Sequence, residues 1–333
     1  MKLLFVFCCV IISCITIESG YGQKDTCVIL TGSPLNPDSY YTVKKILENQ
    51  LDCFVKEISL QTDEIATADL KNVKFLYWAG GPYFKFNPSA EAAANIRQAV
   101  AEGMGYFGTC GGSLIATETT PSSRENQLGL FPGHHPFGSG RGMRTYEMDL
   151  EHPVLVNSSV ADSFSVLETI HYNGGGSDFQ PSVPGLVNWI VAHDSIRQTP
   201  ALVTTVYGKG RVFLSVAHPE RSFIPGTWKF VRLAAEWCLG RSDPADNKVP
   251  VIESNMPVSG QINQHLIFSA AGSDDPEGYP IGFIWDFGDG TDPSYRSVET
   301  HSYRQEGTYN ITLTVTDGKE KTILTREIII KGI

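Results

Sequence analysis

The stretch Gly108–Gly112, with the sequence Gly-Thr-Cys-Gly-Gly, constrains the fold of this chain more than any other segment. A short apolar strand precedes it, and Ser113–Thr117 can begin a helix. A strand that turns sharply into a helix forces the turn residue into strained backbone geometry, and the flanking glycines remove side chains that would clash. We therefore expect the turn to expose the Cys110 sulfur at the carboxyl edge of a sheet. The amino end of the following helix would stabilise a thiolate there.

A second predicted strand, Gly210–Ala217, runs directly into His218, Pro219 and Glu220. A histidine and a glutamate two positions apart at a strand end can lie on one side, so that the carboxylate orients the imidazole. The imidazole can then take the proton from a thiol on a neighbouring strand. Taken singly, Cys110 is explained as a small buried apolar residue, and His218 as part of a polar turn. Together, the two patterns indicate a cysteine–histidine–glutamate site.

Several segments give the chain a resemblance to a known superfamily. Cys110 within its glycines, His218–Glu220, and the loop Ala79–Pro82 after the strand Val73–Trp78 resemble the class I glutamine amidotransferases. Within that superfamily, Ile170–Gly175 makes the chain most similar to the group named after the N-terminal domain of some biotin-protein ligases.

The resemblance implies a role for each matching residue. Cys110 is the nucleophile, His218 is the general base and acid, and Glu220 is the carboxylate that orients the imidazole. The backbone N–H groups of Gly81 and Gly111 supply the oxyanion hole, which stabilises the negative charge of the tetrahedral intermediate. No cofactor is expected.

The substrate is less well defined by these motifs, which span roughly residues 25 to 240. Glutaminase members follow the nucleophile with the pattern C-x-G-x-Q, whereas this chain has Leu114 at the glutamine position and no synthetase domain to receive ammonia. The expected substrate is therefore an amide or related acyl group on a small molecule, a peptide or a glycan. The candidate substrate-binding residues are Gly80, Tyr172 and Asn173, although Tyr172 and Asn173 equally fit a role in shaping a glycine-rich loop.

The first residues are typical of a secretory signal. Residues 1–22 contain a basic start, an apolar run too short for a convincing membrane span, and small residues before an expected cut ahead of Gln23. No later stretch is long and apolar enough to cross a bilayer. We expect a protein that is secreted or delivered to the secretory-pathway lumen, without a membrane span after cleavage. An uncleaved anchor is the alternative.

Charge and cysteine content narrow the possible partners and the redox state. The chain has 36 acidic and 26 basic residues, a net charge of −10, and it has no basic run, which argues against a nucleic-acid partner. Cys27 and Cys53 each open a predicted strand, and the two strands could be neighbours. A disulfide between them and a pair of buried thiols are both open. Cys238 lies on an amphipathic helix and is expected in the core.

The chain is long enough for two domains. In the first, strands alternate with helices near 38–49 and 89–102, which predicts an α/β fold with a doubly wound, mostly parallel, flavodoxin-like sheet. Ligands of such sheets bind beyond the carboxyl ends of the strands, where Gly80, Cys110 and His218 would converge. The predicted boundaries are a signal peptide at 1–22, the amidotransferase-like domain at 23–241, a linker at 242–248 and a second domain at 249–333.

Between residues 118 and 157 the pattern loosens into glycine, proline and histidine. Adjacent His134 and His135 suggest a metal site, but neighbouring side chains diverge and no acidic or cysteine ligand stands at a suitable spacing. We expect a loop at the entrance to the Cys110 site, and no metal.

The second domain is predicted to be a small immunoglobulin-like β-sandwich, because short β-rich runs alternate with turns. Trp285–Thr291 and Gly307–Tyr309 resemble the signature of a PKD domain. In that signature the tryptophan anchors the core and the aspartates hold turns. An acidic cluster at Asp274, Asp275 and Glu277 raises calcium binding as an alternative to a solvated turn. The resemblance implies that this domain docks the first domain on an extracellular polymer or surface, or acts as a spacer for it.

Two other classes of function compete with a cysteine-dependent hydrolase. The chain could be an extracellular binding protein whose Cys110, His218 and Glu220 are idle. It could also be a thiol peptidase or a DJ-1-like enzyme, which Gly111 and the secretory signal disfavour.

Overall fold

The computed structural model describes residues 24–81, 88–119, 126–135, 141–156, 167–173, 178–221 and 227–332. Some predicted features lie outside these residues: the signal peptide 1–22, Pro82, and the glycines at 174–176. Within the described ranges, no helix is long and apolar enough to cross a membrane.

The strands of the first domain mostly belong to one large sheet. They are β1 (Thr26–Thr31), β2 (Phe54–Ser59), β3 (Val73–Trp78), β4 (Gly105–Thr109), β5 (Thr117–Thr119), β6 (Phe131–His134), β7 (Arg141–Met148), β8 (Leu167–Asn173), β9 (Gln180–Pro181), β10 (Ile190–Asp194), β11 (Pro200–Tyr207) and β12 (Gly210–Ser215). The large sheet has nine strands in the order β2-β1-β3-β4-β12-β11-β10-β7-β8. A small separate sheet has the order β5-β6-β9.

The first half of the large sheet is a parallel block. Strands β2, β1, β3, β4 and β12 pair in parallel, and every residue of β4 and β12 is buried. Parallel strands are usually covered on both faces, which explains why these segments are almost continuously apolar. The predicted α/β fold class with a doubly wound sheet is confirmed.

Five helices in the described residues cover this sheet: α1 (Pro37–Asn49), α2 (Ala90–Glu102), α3 (Gly111–Ile115), α4 (Pro153–Val156) and α5 (Thr227–Cys238). The crossover through α1 moves from β1 to one side, and the crossover through α2 moves from β3 to the other side. Because such crossovers are right-handed, α1 and α2 lie on opposite faces. Local caps fix both starts, since the side chains of Asn36 and Ser89 accept hydrogen bonds from first-turn N–H groups.

The second half of the sheet was not foreseen. From β12 onward, β11, β10, β7 and β8 each run antiparallel to the preceding strand. The region predicted as an entrance loop contains β6 and the whole of β7, and residues 171–173 belong to β8 rather than to a loop. These segments form strands because they pair with segments that are distant in sequence, and no local sequence pattern predicts such pairing. Strand β8 also lies close to the turn Pro219–Arg221.

The second domain has its own strands and core. The strands are β13 (Ser259–Gln261), β14 (Leu266–Ser269), β15 (Gly282–Asp286), β16 (Val298–His301), β17 (Gly307–Thr316) and β18 (Lys321–Lys331). They form a four-stranded sheet, β13-β18-β17-β15, and a two-stranded sheet, β14-β16. Trp285 is fully buried, packs near Phe268 and Phe287, and donates its indole N–H to Arg296 O at 2.9 Å. It is the core anchor of a β-sandwich.

A buried arginine joins the two domains. Arg211, at the start of β12, is 3% exposed and donates from Nε to Asp317 O at 3.0 Å. Its Nη1 contacts Asp243 Oδ1 at 2.5 Å, and its guanidinium lies over the Trp237 ring. This contact is at the amino end of β12, whereas His218 follows its carboxyl end. At Arg211 the second domain therefore contacts the end of the sheet opposite His218, and Arg296 of the same domain also pairs with Glu118 at 2.8 Å.

Candidate active site

The carboxyl ends of β3, β4 and β12 bring the predicted site residues together. In the parallel register Trp78 pairs with Gly108, and Thr109 pairs with Ser215. The residues just beyond these strands, Gly80, Cys110 and His218, therefore meet at one edge of the sheet. Cys110 is tied to this edge because its N–H donates to Ser215 O at 2.7 Å.

The turn at Cys110 is strained, and its glycines make it possible. Cys110 has φ +48° and ψ −108°, in the left-handed region that favours glycine, and α3 begins at the next residue. A Cβ at Gly108 would lie 2.5 Å from Gly112 O, and one at Gly112 would lie 2.1 Å from Trp78 O. Both positions therefore require glycine for the strand, turn and helix to pack this closely.

The imidazole of His218 connects Cys110 to Glu220. His218 Nδ1 lies 2.8 Å from Glu220 Oε1, and both side chains are buried. The short helical turn Pro219–Arg221 places the carboxylate beside the ring that precedes it in sequence. The ring also lies next to Cys110, because a Cβ at Gly80 would meet both His218 Cε1, at 2.1 Å, and Cys110 Cβ, at 2.9 Å. With Nδ1 engaged by Glu220, Nε2 is the nitrogen suited to the thiol.

The charges in this group shift three pKa values. Burial opposes ionisation of Cys110, but the positive charge and hydrogen bond of His218 outweigh it and lower the pKa of the thiol. Burial also opposes ionisation of His218, yet the negative charges of Cys110 and Glu220 raise its pKa to about 10. Burial works against the Glu220 carboxylate too, but His218 lowers its pKa. The shifts of Cys110 and His218 both act in the direction of a thiolate–imidazolium pair.

Cys110 is more enclosed than its sequence indicates. The residue is 6% exposed, so the prediction of an exposed sulfur is wrong. Cys110 stands outside the hydrophobic cluster that contains the other described cysteines. Gly80 and His218 close around it: a Cβ at Gly80 would lie 2.1 Å from His218 Cε1 and 2.9 Å from Cys110 Cβ.

The glycines assigned to the site differ in their positions. Gly80 lies against Cys110 and His218, and its carbonyl accepts from Asn36 N at 3.0 Å. Gly81 follows at the same edge and is half-buried. The N–H of Gly111, at the start of α3, hydrogen-bonds to the Cys110 sulfur and helps lower the pKa of the thiol. The oxyanion-hole role of Gly81 and Gly111 stays a prediction.

The other predicted substrate residues lie on β8. Tyr172 pairs with Gly142 and Asn173 with Arg141 in the antiparallel register with β7. Because β8 passes close to Pro219–Arg221, its backbone borders the turn that carries Glu220. Their substrate-binding role stays a prediction.

Three hydroxyl side chains near Glu220 were missed by the sequence analysis. Thr109 Oγ1 donates to Glu220 Oε1 at 3.3 Å, and the hydroxyl of Tyr77 lies 2.8 Å from Thr109 Oγ1. Ser39, at the start of α1, also lies close enough to lower the pKa of Glu220. A hydroxyl directly before the predicted nucleophile, within an otherwise apolar strand, is the one signal that could have indicated Thr109.

The sequence raises the question of metal binding at two positions, the histidine pair His134–His135 and the acidic cluster near Asp275. His134 Nε2 contacts Gln180 Oε1 at 2.9 Å, and His135 packs edge-on against Phe179. In the acidic cluster, Asp275 Oδ1 accepts from the N–H groups of Glu277 and Tyr279, as in a turn. Among the residues that the structure describes, no group of three or more His, Cys, Asp or Glu side chains could hold a metal ion.

Comparison with known proteins identifies the second domain. A family model described as PKD domain matches residues 247–329. The collagenase ColQ1 of Bacillus cereus is 37% identical over 79 residues, which are 24% of this chain and 8% of the collagenase. A microbial collagenase of Vibrio alginolyticus is 40% identical over 60 residues, 18% of this chain and 7% of that protein. The sandwich is a PKD domain, and the chain matches only a small part of these relatives.

Solved structures resemble the α/β part in shape. One is a glutamine amidotransferase, which is 18% identical with a TM-score of 0.42. The match spans 63% of this chain and 98% of the amidotransferase chain. A ThuA-like protein from Parabacteroides merdae is 16% identical, with a TM-score of 0.44, and covers 68% of this chain and 94% of that chain.

Proposed function

We propose that this chain is a cysteine-dependent amidotransferase-like hydrolase that acts on an amide or related acyl substrate. The observation that supports this most directly is that Cys110 and His218 both lie against Gly80 at the carboxyl edge of the parallel sheet. Behind it, Glu220 lies 2.8 Å from His218 Nδ1. A nucleophile, a base and a group that orients the base, in hydrogen-bonded series, are the elements that acyl transfer requires.

The proposed reaction has two stages. The Cys110 thiolate attacks the substrate carbonyl carbon, and the carbonyl oxygen takes the negative charge while the N–H groups of Gly81 and Gly111 stabilise it. His218 then gives its proton to the leaving amine or alcohol as the bond to the carbonyl carbon breaks, which leaves a thioester. Next, neutral His218 takes a proton from water, the hydroxide attacks the thioester, and the thiolate leaves. Glu220 stabilises the imidazolium in the charged states.

The substrate is proposed to differ from glutamine. Leu114 occupies the position where glutaminase members carry glutamine; it is buried, and its carbonyl accepts from Thr117 Oγ1 at 2.8 Å. An apolar side chain facing the interior offers no hydrogen bond to a substrate amide. We place the chain in the group named after the N-terminal domain of some biotin-protein ligases, with an acyl substrate on a small molecule, peptide or glycan.

The PKD domain is proposed to dock or space the enzyme at an extracellular polymer or surface. Collagenases share this domain by sequence similarity, and a predicted signal at 1–22 would direct the chain to secretion. The contact through Arg211 supports this arrangement, because it lies at the amino end of β12 and not at the carboxyl end, which His218 follows.

Labelling with a chloroacetamide probe tests the proposal in the wild type, Cys110→Ala and His218→Ala, with the modified cysteine identified by mass spectrometry. We expect wild-type labelling at Cys110, none at position 110 in Cys110→Ala, and a decrease on the order of a hundredfold in His218→Ala. Labelling that is indifferent to His218 would identify an ordinary thiol. A folded wild type that neither labels at Cys110 nor hydrolyses an amide and ester panel would favour the idle binding protein.

A further inference from the structure

The carboxylate of Glu220 is held by more than His218. Thr109 Oγ1 donates to Glu220 Oε1 at 3.3 Å, on the same oxygen that His218 Nδ1 approaches at 2.8 Å. The hydroxyl of Tyr77 lies 2.8 Å from Thr109 Oγ1. Tyr77 and Thr109 are both fully buried, on adjacent strands β3 and β4. They form a second line of hydrogen bonds that reaches the carboxylate from the sheet interior.

The direction of these hydrogen bonds is fixed by chemistry. An ionised carboxylate only accepts, so the Thr109 hydroxyl must donate its hydrogen to Glu220. The lone pairs of Thr109 Oγ1 then accept the hydrogen of the Tyr77 hydroxyl. Burial and the negative charge of Glu220 raise the pKa of Tyr77 well above its ordinary value, so the phenol keeps that hydrogen. The series Tyr77, Thr109, Glu220 therefore has one orientation.

Packing alone does not call for these hydroxyls. A phenylalanine at 77 would keep the ring contact with Phe107, whose centroid is 5.3 Å away, and a valine at 109 would fill the volume of threonine. Burying a hydroxyl costs free energy that only a hydrogen bond recovers. Both hydroxyls are aligned toward one acidic group that orients a proposed catalytic base.

We propose that Tyr77 and Thr109 are positioning residues that hold Glu220 ionised and keep its Oε1 on the His218 Nδ1–H. This inference rests on the proposed function and deepens it. The Thr109 hydroxyl stabilises the anion directly, and Tyr77 acts through Thr109 by fixing the direction of its hydroxyl. Thr109 is the last residue of β4 and Cys110 follows it directly. The end of one strand therefore places both the proposed nucleophile and the hydroxyl that contacts Glu220.

The test is the pH dependence of Cys110 alkylation by iodoacetamide in wild type, Thr109→Val, Thr109→Ser and Tyr77→Phe. In wild type the rate rises first as the thiol ionises, and again near pH 10, where His218 loses its proton and leaves an unpaired thiolate. A weaker Glu220 anion stabilises the imidazolium less, so this upper step moves to lower pH. We expect the largest shift in Thr109→Val, a smaller one in Tyr77→Phe and a wild-type profile in Thr109→Ser.

Turnover gives the second readout. We expect kcat on the amide substrate found by the panel to fall about tenfold in Thr109→Val, as for loss of a hydrogen bond to a charged group, and less in Tyr77→Phe. Tyr303→Phe is the matched control, since Tyr303 is also fully buried and donates to Phe287 O at 3.2 Å in the other domain. It should lower thermal stability without moving the upper step.

The outcomes separate the two proposals. If His218→Ala abolishes the upper step while Thr109→Val and Thr109→Ser have the same profile, the positioning role is wrong and the proposed function stands. If His218→Ala leaves the alkylation profile unchanged, the proposed function is wrong, whatever the threonine variants do. A Tyr303→Phe variant that moves the upper step as much as Tyr77→Phe would also overturn the positioning role, because it would show a general effect of lost stability.

Discussion

Cys110 and Cys238 are both enclosed thiols beside strand β4, yet their surroundings give them opposite chemistry. Cys238 belongs to the hydrophobic cluster, and its thiol donates to Tyr106 O at 3.3 Å. Burial raises the pKa of Cys238. Cys110 stands outside that cluster and contacts an imidazole, and its pKa is lowered. Burial alone therefore does not decide the direction in which the pKa of a thiol shifts in this protein.

The two pKa values differ because the cation near each thiol differs in whether other groups already neutralise its charge. The cation that acts on Cys238 is Arg211, whose guanidinium is held by Asp243 at 2.5 Å and by the carbonyl of Asp317. Its charge is neutralised nearby and serves the junction with the PKD domain. The charge of His218 is instead shared between Glu220 and the Cys110 sulfur. The comparison teaches that a cation beside a buried thiol lowers its pKa only when the charge is not already neutralised by other groups.

The largest effect is expected from Gly80→Ala, which should separate Cys110 from His218. The new Cβ would lie 2.1 Å from His218 Cε1, a contact that only movement of the ring can relieve. Cys110 would then resemble Cys238, with a raised pKa and a rate of alkylation at pH 7 lower by a factor on the order of a thousand. Mass spectrometry after timed iodoacetamide treatment measures this.

Gly272→Ala provides the matched control for that substitution. Its Cβ would meet only the flexible end of Glu253, at 2.8 Å from Cδ, in the other domain. It should leave Cys110 alkylation as in wild type. A Gly80→Ala protein that folds and keeps the wild-type rate would show that contact with His218 does not activate the thiol.

A hundredfold effect is expected from pH. The ion pair of the Cys110 thiolate and the His218 imidazolium persists between the lowered pKa of Cys110 and the raised pKa of His218, about 10, whereas the raised pKa of Cys238 keeps that thiol protonated. At pH 6 we expect Cys110 to react at least about a hundredfold faster than Cys238 in the folded protein. Site-resolved alkylation between pH 5 and pH 9 measures both. A Cys110 rate that climbs about tenfold per pH unit up to the ordinary thiol pKa of ~8.5 would contradict the assignment.

The same charges predict how stability depends on pH. The pKa of His218 is raised to about 10 in the folded protein, so its contribution to stability is complete below its unfolded value and is lost as the pH rises through about 10. The lowered pKa of Glu220 acts in the opposite sense, and its contribution is lost at acid pH, as the pH falls through that lowered value. Cys110 follows the sign of Glu220.

A smaller effect is expected from Glu220→Gln, which keeps the side-chain volume and removes the charge. Loss of that charge lowers the pKa of His218, because a neutral amide stabilises the imidazolium less than a carboxylate does. We expect amide turnover to fall about tenfold or more and the upper step of Cys110 alkylation to move to lower pH. Glu236→Gln on α5 is the control, since its carboxylate pairs with Arg232 at 2.8 Å, away from Cys110. An unchanged upper step in Glu220→Gln would remove Glu220 from the site.

The parallel half of the sheet and its edge were predictable from sequence because local patterns determine them. Apolar runs, capped helices and the glycines around Cys110 each act over a few residues, and each indicates the same fold. The antiparallel strands were not predictable, since β7 and β8 depend on pairing between distant segments. The links of Thr109 to Tyr77 and Glu220 were also missed, because they join residues 32 and 111 positions apart.

Cys27 and Cys53 are a second pair of groups in which a thiol has a lowered pKa, but here the partner is another thiol and not a histidine. Both are buried free thiols, and Cys27 donates a hydrogen bond to Cys53. That hydrogen bond, with the nearby guanidinium of Arg241, lowers the pKa of Cys53 against the effect of burial, while the pKa of Cys27 is raised. The sequence left a disulfide and two buried thiols open, and the structure contains the two thiols in contact.

The smallest effect on Cys110 is therefore expected from oxidising that pair. The Cys53 thiolate can attack oxidised glutathione, releasing one glutathione thiolate, and Cys27 can then displace the second to close a disulfide. We expect the bridge to raise the free energy of unfolding by about 3 kcal/mol while Cys110 alkylation changes by less than about twofold. Peptide mapping and chemical denaturation measure the two effects, with Cys53→Ser as the control. If the disulfide abolished Cys110 alkylation, the two thiol sites would be coupled through β1 and β3. That outcome would contradict the expectation that Cys110 depends only on its own surroundings.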